Sequence, residues 1–369
     1  MNFTIAKEQL ISGLQAVQNI VGSRTTLPIL SNVLLRAENG RLELTATDLD
    51  VSVSSSVEAN VKKAGATTIP VKKFFGIVRE LGNQELELTT DDKNVTSLSS
   101  GASYYKIRGL AAEEFPPIPE NKDDRKVVLP QEKIRGMMKK TSFAISTDES
   151  RYVLNGIFVS MKEGKLTMVA TDGRRLALVD EEVDIPEAAN GDYIVPAKAI
   201  NELNRLLTEA GTIELRFGEN RAVMRLKPEK GPEVKITTKL IEGSYPNYRQ
   251  VIPSEMKERV TLSRDELLHA VRRAEIMTSD KANSIKMSFT KNNLAITANS
   301  PDVGEARESL AINYKGSDVT VAFNPGYLIE PLNALTEDEV FFELIDELSP
   351  GVLKINGPFL YVVMPMRLS

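Results

Sequence analysis

The chain has 369 residues, with 46 Lys and Arg against 51 Asp and Glu, one His, no Cys and no Trp. At roughly 150 residues per domain there is room for two or three domains, and 41% apolar with 26% charged residues rules out a largely disordered chain. The lack of Cys excludes disulfides, thiolate nucleophiles and Cys-ligated metal centres, and the single imidazole, His269, excludes any site that needs two.

In chain order the pattern is a threefold repeat. A β-type segment, Phe3-Thr4-Ile5, precedes a helical face of Leu10, Leu14, Val17 and Val21 over 7–21. Residues 41–48 then alternate apolar and polar at period two, the signature of a half-buried strand. Pro70 leads into a second helix over 71–81 through Phe74, Val78 and Leu81. Glu114-Phe115-Pro116 opens a Pro-rich, charged linker over 113–126. The order then restarts: a β-type segment at 127–129, a helical face of Ile134, Met138, Thr141 and Ile145 over 131–145, an alternating strand at 165–172, and Pro196 leading into a helix over 197–207. Ser244-Tyr245-Pro246 opens the second linker, 243–259. The third copy has its β-type segment at 260–262, Leu267, Val271, Ala274 and Thr278 on a helix over 264–277, and an alternating strand at 293–299. Asn324-Pro325 suits an N-cap and first helical position for a helix over 324–335. The expected fold class is α+β, three tandem domains of two helices packed on antiparallel sheets, divided as 1–124, 125–254 and 255–369.

Chemistry-bearing motifs are absent from this pattern. No GxxxxGK[ST] phosphate loop and no helix-opening GxGxxG occurs. His269 falls on a helix among Leu267, Leu268 and Val271 and reads as a surface or packing residue. Asp48/Asp50 and Asp91/Asp92 read as turns, although a carboxylate-only metal nuclease needs only that such groups converge. No catalytic residue, metal ligand or cofactor is assigned. The first ten residues lack the apolar core of a secretory signal, and no run approaches 18 uncharged apolar residues, so a soluble cytoplasmic protein is expected.

Net charge is −5, but it is unevenly spread: the six expected helices sum to +5 and the rest of the chain to −10. If the helices face one way, that surface attracts a polyanion through phosphate contacts without reading bases; ordinary solvated helix faces are the alternative. On residues alone, a DNA-binding ring, a carboxylate nuclease and a monomeric peptide-binding scaffold all stay open.

Four motifs sharpen the choice: Thr26-Leu27-Pro28-Ile29-Leu30, Ala170-Thr171-Asp172-Gly173-Arg174-Arg175-Leu176, Tyr245-Pro246-Asn247-Tyr248 and Val362-Val363-Met364-Pro365-Met366-Arg367-Leu368. With Arg151-Tyr152-Val153-Leu154-Asn155-Gly156, they resemble the bacterial DNA polymerase III beta subunits, the β sliding clamps, from end to end and in order. The resemblance implies two chains closing head to tail into a homodimeric ring of six domains, with helices lining a hole that duplex DNA occupies. It implies no enzymatic activity and no cofactor. The implied partners are double-stranded DNA, the replicative polymerase alpha subunit, the clamp loader and other replication and repair proteins that carry a Leu/Phe-containing peptide.

Carried over by position, the family's peptide pocket uses Leu154, Thr171, Gly173, Arg174, Arg175, Leu176, Pro246, Val251, Val362, Met364, Pro365, Met366 and Arg367. Leu, Val, Met and Pro suit an extended peptide's apolar anchors, Met adapts to several ligands, and Arg175 is expected to pair with a polar rim. Without the resemblance the same residues read as a core strand with a tight turn at Asp172-Gly173. For DNA the resemblance implies Arg24, Lys72, Asp148, Tyr152, Val153 and Lys198, and for the dimer interface Tyr105 against Ile276 and Met277. Asp148 stands where the family more usually has a neutral amide, Val153 replaces a second aromatic, and Gln250 stands where a basic residue is common.

Overall fold

The structure, a computed structural model, describes residues 1–22, 27–82, 84–119, 126–279, 283–301 and 303–367. Arg24 and parts of the first linker and of the last motif lie outside the described residues.

The first repeat runs β1 (Asn2–Ala6), α1 (Lys7–Val17), β2 (Asn32–Glu38), β3 (Arg41–Thr47), β4 (Val51–Glu58), β5 (Asn60–Lys63), β6 (Gly65–Pro70), α2 (Val71–Glu80), β7 (Glu85–Thr90), β8 (Val95–Ser100) and β9 (Ser103–Arg108). The second runs β10 (Lys126–Pro130), α3 (Gln131–Lys139), β11 (Gly156–Lys162), β12 (Lys165–Thr171), β13 (Arg175–Glu182), β14 (Gly191–Pro196), α4 (Ala197–Leu206), β15 (Thr212–Phe217), β16 (Arg221–Lys227) and β17 (Glu233–Lys239). The third runs β18 (Glu258–Ser263), α5 (Arg264–Glu275), β19 (Ile285–Thr290), β20 (Asn293–Ser300), β21 (Gly304–Ala311), β22 (Val319–Phe323), α6 (Pro325–Ala334), β23 (Glu339–Leu344), β24 (Gly351–Lys354) and β25 (Phe359–Val363). All six expected helices and all three alternating strands are present.

The repeats are joined through their sheets. One eight-stranded sheet has the order β10-β15-β16-β17-β4-β3-β2-β6, and a second has β14-β11-β12-β13-β25-β24-β23-β18. In each, a strand of the second repeat pairs antiparallel with a strand of another: β17 with β4, and β13 with β25. The chain accordingly falls into two compact units, 1–135 with 185–189 and 198–241, and 136–184 with 190–197 and 242–369. The division passes through α3 inside the second repeat, whereas composition points to the Pro-rich linkers. A ladder of backbone hydrogen bonds across a repeat boundary leaves no trace in composition. The remaining sheets, β5-β1-β7-β8-β9 and β21-β20-β19-β22, end on the strands β9 and β21.

Helix faces follow the sequence pattern. Leu10, Leu14 and Val17 are buried on α1, Leu267, Val271 and Ala274 on α5, and Leu328 and Leu332 on α6. Close approach is built in at Gly13: a Cβ there would lie 2.8 Å from the Leu44 Cδ1 atom, so α1 sits directly on β3 and β4. On α5 the Ser263 hydroxyl caps the Glu266 amide, acids fill the first turn and Arg272 and Arg273 the last, complementing the helix dipole. Two helices are shorter than their periodicity. α1 passes into a 3-10 turn at Gln18–Ile20. α3 ends at Lys139, where the buried Thr141 leaves helical geometry (φ −126°) and its hydroxyl donates to the Met137 carbonyl at 2.9 Å. No helix among the described residues is long and apolar enough to cross a membrane.

Candidate functional site: an apolar docking surface on the second eight-stranded sheet

Strand alternation places one apolar row on the sheet where β13 meets β25. Leu176 pairs with Val362 and Leu178 with Leu360, and Val352 pairs with Val362 from the other side. Val169, Leu176, Val352 and Val362 are buried, with Phe158, Leu178, Tyr245, Tyr248, Ile252, Met256 and Leu360 packed on them. The expected second linker is therefore no free tether. Its two tyrosines lie 5.0 and 5.8 Å from the Phe158 ring, the first of them stacked, and burial raises the Tyr245 phenol above its ordinary pKa.

The seam between β4 and β17 occupies the matching place in the first unit, yet Ser52 pairs there with Thr237 and Ser54 with Lys235. The backbone frame is repeated and the side chains on this face are not: the face is apolar at β13–β25 and polar at β4–β17, whose other face keeps the buried Val53–Ile236 pair. A polar cavity of about 620 Å³, lined by Gln9, Arg41, Glu58 and Glu85 among others, shares no residue with the apolar surface.

The strand ends beside the apolar row are held by their backbone. Met364 N–H donates to the Arg174 carbonyl at 2.9 Å, and Met366 N–H to the Ala322 carbonyl at 2.7 Å. Asp172 accepts from the amides of Arg174 and Arg175 at 2.9 and 3.1 Å, and Thr171 Oγ1 accepts from the Gly173 amide at 3.1 Å. Asp48 caps the corresponding turn of the first repeat in the same way. Gly173 has φ +83°, so the turn favours glycine, and the Arg151 guanidinium lies over it where a Cβ would stand.

The expected pocket residues thus sort by exposure. Gly173, Arg174, Pro246, Val251, Met364, Met366 and Arg367 are exposed, and Thr171 and Pro365 are half-buried. Leu154, Leu176 and Val362 are buried beneath them. Arg175 is not at a rim. It is 8% exposed: its Nε bonds Asp172 at 3.0 Å, its Nη2 donates to the Phe143 carbonyl at 2.7 Å, and its Nη1 meets Glu330. The guanidinium lies 4.5 Å from the Tyr327 ring centroid and 5.7 Å from that of Phe143. A buried guanidinium costs several kcal/mol unless it is paired; Asp172 and the Phe143 carbonyl hydrogen-bond this one, and Glu330 sets an opposite charge beside it. The residues that sequence reasoning leaves out of the site are Phe143, Tyr327, Glu330 and Tyr361, and their only signal was proximity that the fold creates.

Of the expected DNA contacts, Lys72 is exposed on α2, its Nζ 3.5 Å from the Gly22 carbonyl. Lys198 is ion-paired with Asp48. Asp148 caps a short 3-10 turn that begins at Glu149 and kinks at Arg151 (φ −114°, ψ 53°), and Tyr152 and Val153 follow the kink. Asp148 accepts from the Ser150 hydroxyl at 2.7 Å, the Ser150 amide at 3.0 Å and Arg151 Nε at 3.0 Å. These bonds hold its carboxyl below the ordinary value. Tyr152 is 58% exposed.

The helix charge also changes meaning in three dimensions. Arg79, Arg135, Lys140, Lys198, Arg205, Arg264 and Arg273 each pair with a carboxylate, and the acid on α6, Glu330, is taken up by Arg175. Lys72, Lys73 and Lys139 have no carboxylate within 4 Å among the described residues. Of the acids read as turns, three are occupied: Asp48 by Lys198, Asp50 by Lys239 at 2.9 Å, and Asp91 by the amides of Lys93 and Val95. His269 is exposed on α5. For the interface residues, Tyr105 is exposed on β9, Ile276 is 72% exposed after α5, and Met277 is half-buried.

A threefold repeat whose sheets run on from copy to copy, with an apolar cluster beside β13 and β25, is the architecture of a clamp-type protein. Family models of the DNA polymerase III beta subunit match its N-terminal domain at 1–119, its central domain at 128–247 and its C-terminal domain at 249–367. Beta sliding clamps of Chlamydia muridarum and Pseudomonas putida are 34% and 35% identical over all of this chain and 99% and 100% of their own. The structure also superposes on the Pseudomonas aeruginosa DNA polymerase III subunit beta (TM-score 0.94, 34% identity, all of both chains). It matches a sliding clamp from Bartonella birtlesii bound to griselimycin equally well (0.94, 34%, all of both chains).

The chain therefore belongs to the DNA polymerase III beta subunit family. It is a sliding clamp, a non-catalytic processivity factor that encircles duplex DNA and tethers the replicative polymerase and other proteins through a peptide-binding pocket.

Proposed function

We propose that the apolar surface beside β13 and β25 is that pocket, and that Val251, Met364 and Met366 form its contact face over a floor of Leu154, Leu176 and Val362. The observation that carries this is the pairing of exposed apolar side chains with a fixed backbone: Met364 and Met366 are 41% and 40% exposed, while their amides are bonded to Arg174 and Ala322. A Leu or Phe anchor buried there gains about 1.5–3 kcal/mol at little ordering cost to the protein. Arg174 and Arg367 flank it for a polar or acidic part of the peptide. Griselimycin, carried by the Bartonella relative, is the natural probe.

Domains of 1–124, 125–254 and 255–369 close as a head-to-tail pair of chains, a heterologous contact that ends in a ring. The terminal strands β9 and β21 supply the backbone groups, with Tyr105 set against Ile276 and Met277. Lys72, Tyr152 and Lys198 contact DNA, and the protein works in the cytoplasm. Electron microscopy of the pure protein should show closed six-lobed rings. Met364→Ala with Met366→Ala should weaken polymerase binding by at least about tenfold while the rings persist. Unchanged polymerase affinity in that variant refutes the pocket.

A further inference from the structure

The two eight-stranded sheets share a frame but not a charge. The strands of the second carry five Lys and Arg against seven Asp and Glu, whereas those of the first carry nine against five. Leu44 and Val57 turn toward α1, and the row Val53, Ile236, Met224 and Leu215 on the same side is buried. By strand alternation every charged residue of the first sheet stands on the other face. One row there runs Thr45, Ser54, Lys235, Arg225 and Glu214 across five strands. The face holds a cavity of about 310 Å³ lined by Arg41, Ser54, Ser56, Arg225 and Lys235, with Glu43 and Glu233 beside them. Donors in this cavity lack acceptors. The Arg225 Nε–H is closed to solvent and has no partner. Glu214, opposite Arg225, is taken by Arg216 at 2.6 Å. Neither Arg225 nor Lys235 has a carboxylate within 4 Å among the described residues. Ser56 Oγ accepts from Arg41 Nε at 2.8 Å, which leaves the hydroxyl proton to give.

We infer that this cavity on the β4–β17 seam is a docking site for an acidic peptide segment, one of whose Asp or Glu carboxylates is held by the Arg225 Nε–H, the Lys235 ammonium and the Ser56 hydroxyl. A buried N–H needs an acceptor, and a carboxylate beside two cations is the strongest available. Two features select a peptide over a nucleic acid. Glu43 and Glu233 stand opposite Ser56 on its two neighbouring strands, where they repel a continuous row of phosphates but accept from a peptide's backbone amides. The face also has no aromatic side chain on which a base could stack. The surplus of cations around the cavity steers an anionic partner toward it, although acids outnumber bases in the chain as a whole.

The test titrates the full-length protein with a fluorescein-labelled peptide of alternating Glu and Gly, read by anisotropy at about 50 mM salt, where surface charges are only partly screened. One double variant, Arg225→Gln with Lys235→Gln, empties the cavity of its free cations. A second, Arg36→Gln with Lys227→Gln, removes the same charge from the same face outside the cavity. The expected result is affinity lowered about tenfold or more in the first and less than about twofold in the second, as for the loss of a specific charge-assisted contact. In the wild-type protein the Arg225 Nε–H signal, assigned by its loss in Arg225→Gln, should shift as the peptide binds. Equal losses in the two double variants would mean diffuse attraction and overturn the site. So would an Arg225 Nε–H signal that stays in place while the peptide binds, a readout that needs no folded double variant, or a peptide left unbound at about 1 mM protein. Oligo-dT that displaces the peptide, and is itself weakened by Arg225→Gln, would overturn the peptide as occupant in favour of nucleic acid.

Discussion

Asp148 shows how one side chain can change role without changing place. At a position expected to face DNA this chain has a carboxylate, and the carboxylate is consumed locally by Ser150 and Arg151. It caps the turn that leads into the Arg151 kink before Tyr152, and Arg151 offsets its charge. The hydrogen bonds from Ser150, then that from Arg151, lower its folded pKa. Such a group contributes above its unfolded value near 3.9, and the contribution is lost as pH falls through the depressed folded value. The Tyr152 turn should therefore be unchanged from neutral pH down to about pH 4 and loosen only below it. NMR of the Ser150 and Arg151 amides against pH checks this; a transition centred between pH 5 and 7 would contradict it. Gly173 and Arg151 meet at the same spot, so loosening here should also reach the pocket turn.

At the scale of elements, the periodicities at 41–48, 165–172 and 293–299 found β3, β12 and β20 because a half-buried strand must alternate. Asn324-Pro325 found the start of α6, where the Asn324 side chain accepts from the Gly326 amide at 2.9 Å. Two kinds of information escaped. Strand partners distant in sequence, such as β13 with β25 and β4 with β17, are set by three-dimensional register. The burial of Arg175 was invisible because Phe143, Tyr327 and Glu330 converge on it only after folding, and so a residue expected at a rim is an internal anchor. The pocket's exposed members were read by resemblance; nothing in their spacing separates a docking face from a core strand. The edges β9 and β21 follow a similar rule. Their unpaired backbone groups invite another strand, and Ile276, just after α5, is a large apolar side chain left in water. Replacing Ile276 and Met277 with Lys should give stable monomers, their α5 core of Leu267, Val271 and Ala274 being untouched. Light scattering decides it: a variant that stays dimeric at micromolar concentration rules these residues out of the interface.

For the whole molecule the question is how a chain of net charge −5 stays on DNA. Pairwise attraction is a poor answer, because seven cations of the helices and their ends are already paired with carboxylates. A protein held by six to ten phosphate contacts loses affinity by about 10³–10⁵ between 50 and 200 mM salt. A closed ring needs no such contacts once it encircles the duplex, and weak ones favour sliding over arrest. Protein assembled on nicked circular DNA by a clamp loader with ATP should therefore remain bound through gel filtration at about 0.5 M salt, where phosphate attraction is largely screened. Cutting the circle once should release it, since the ring then runs off the ends. Equal loss from circular and linear DNA at that salt would mean that charge, and not closure, holds the protein. The Ile276/Met277 variant provides the internal contrast: opened at its interface, it should leave both substrates alike.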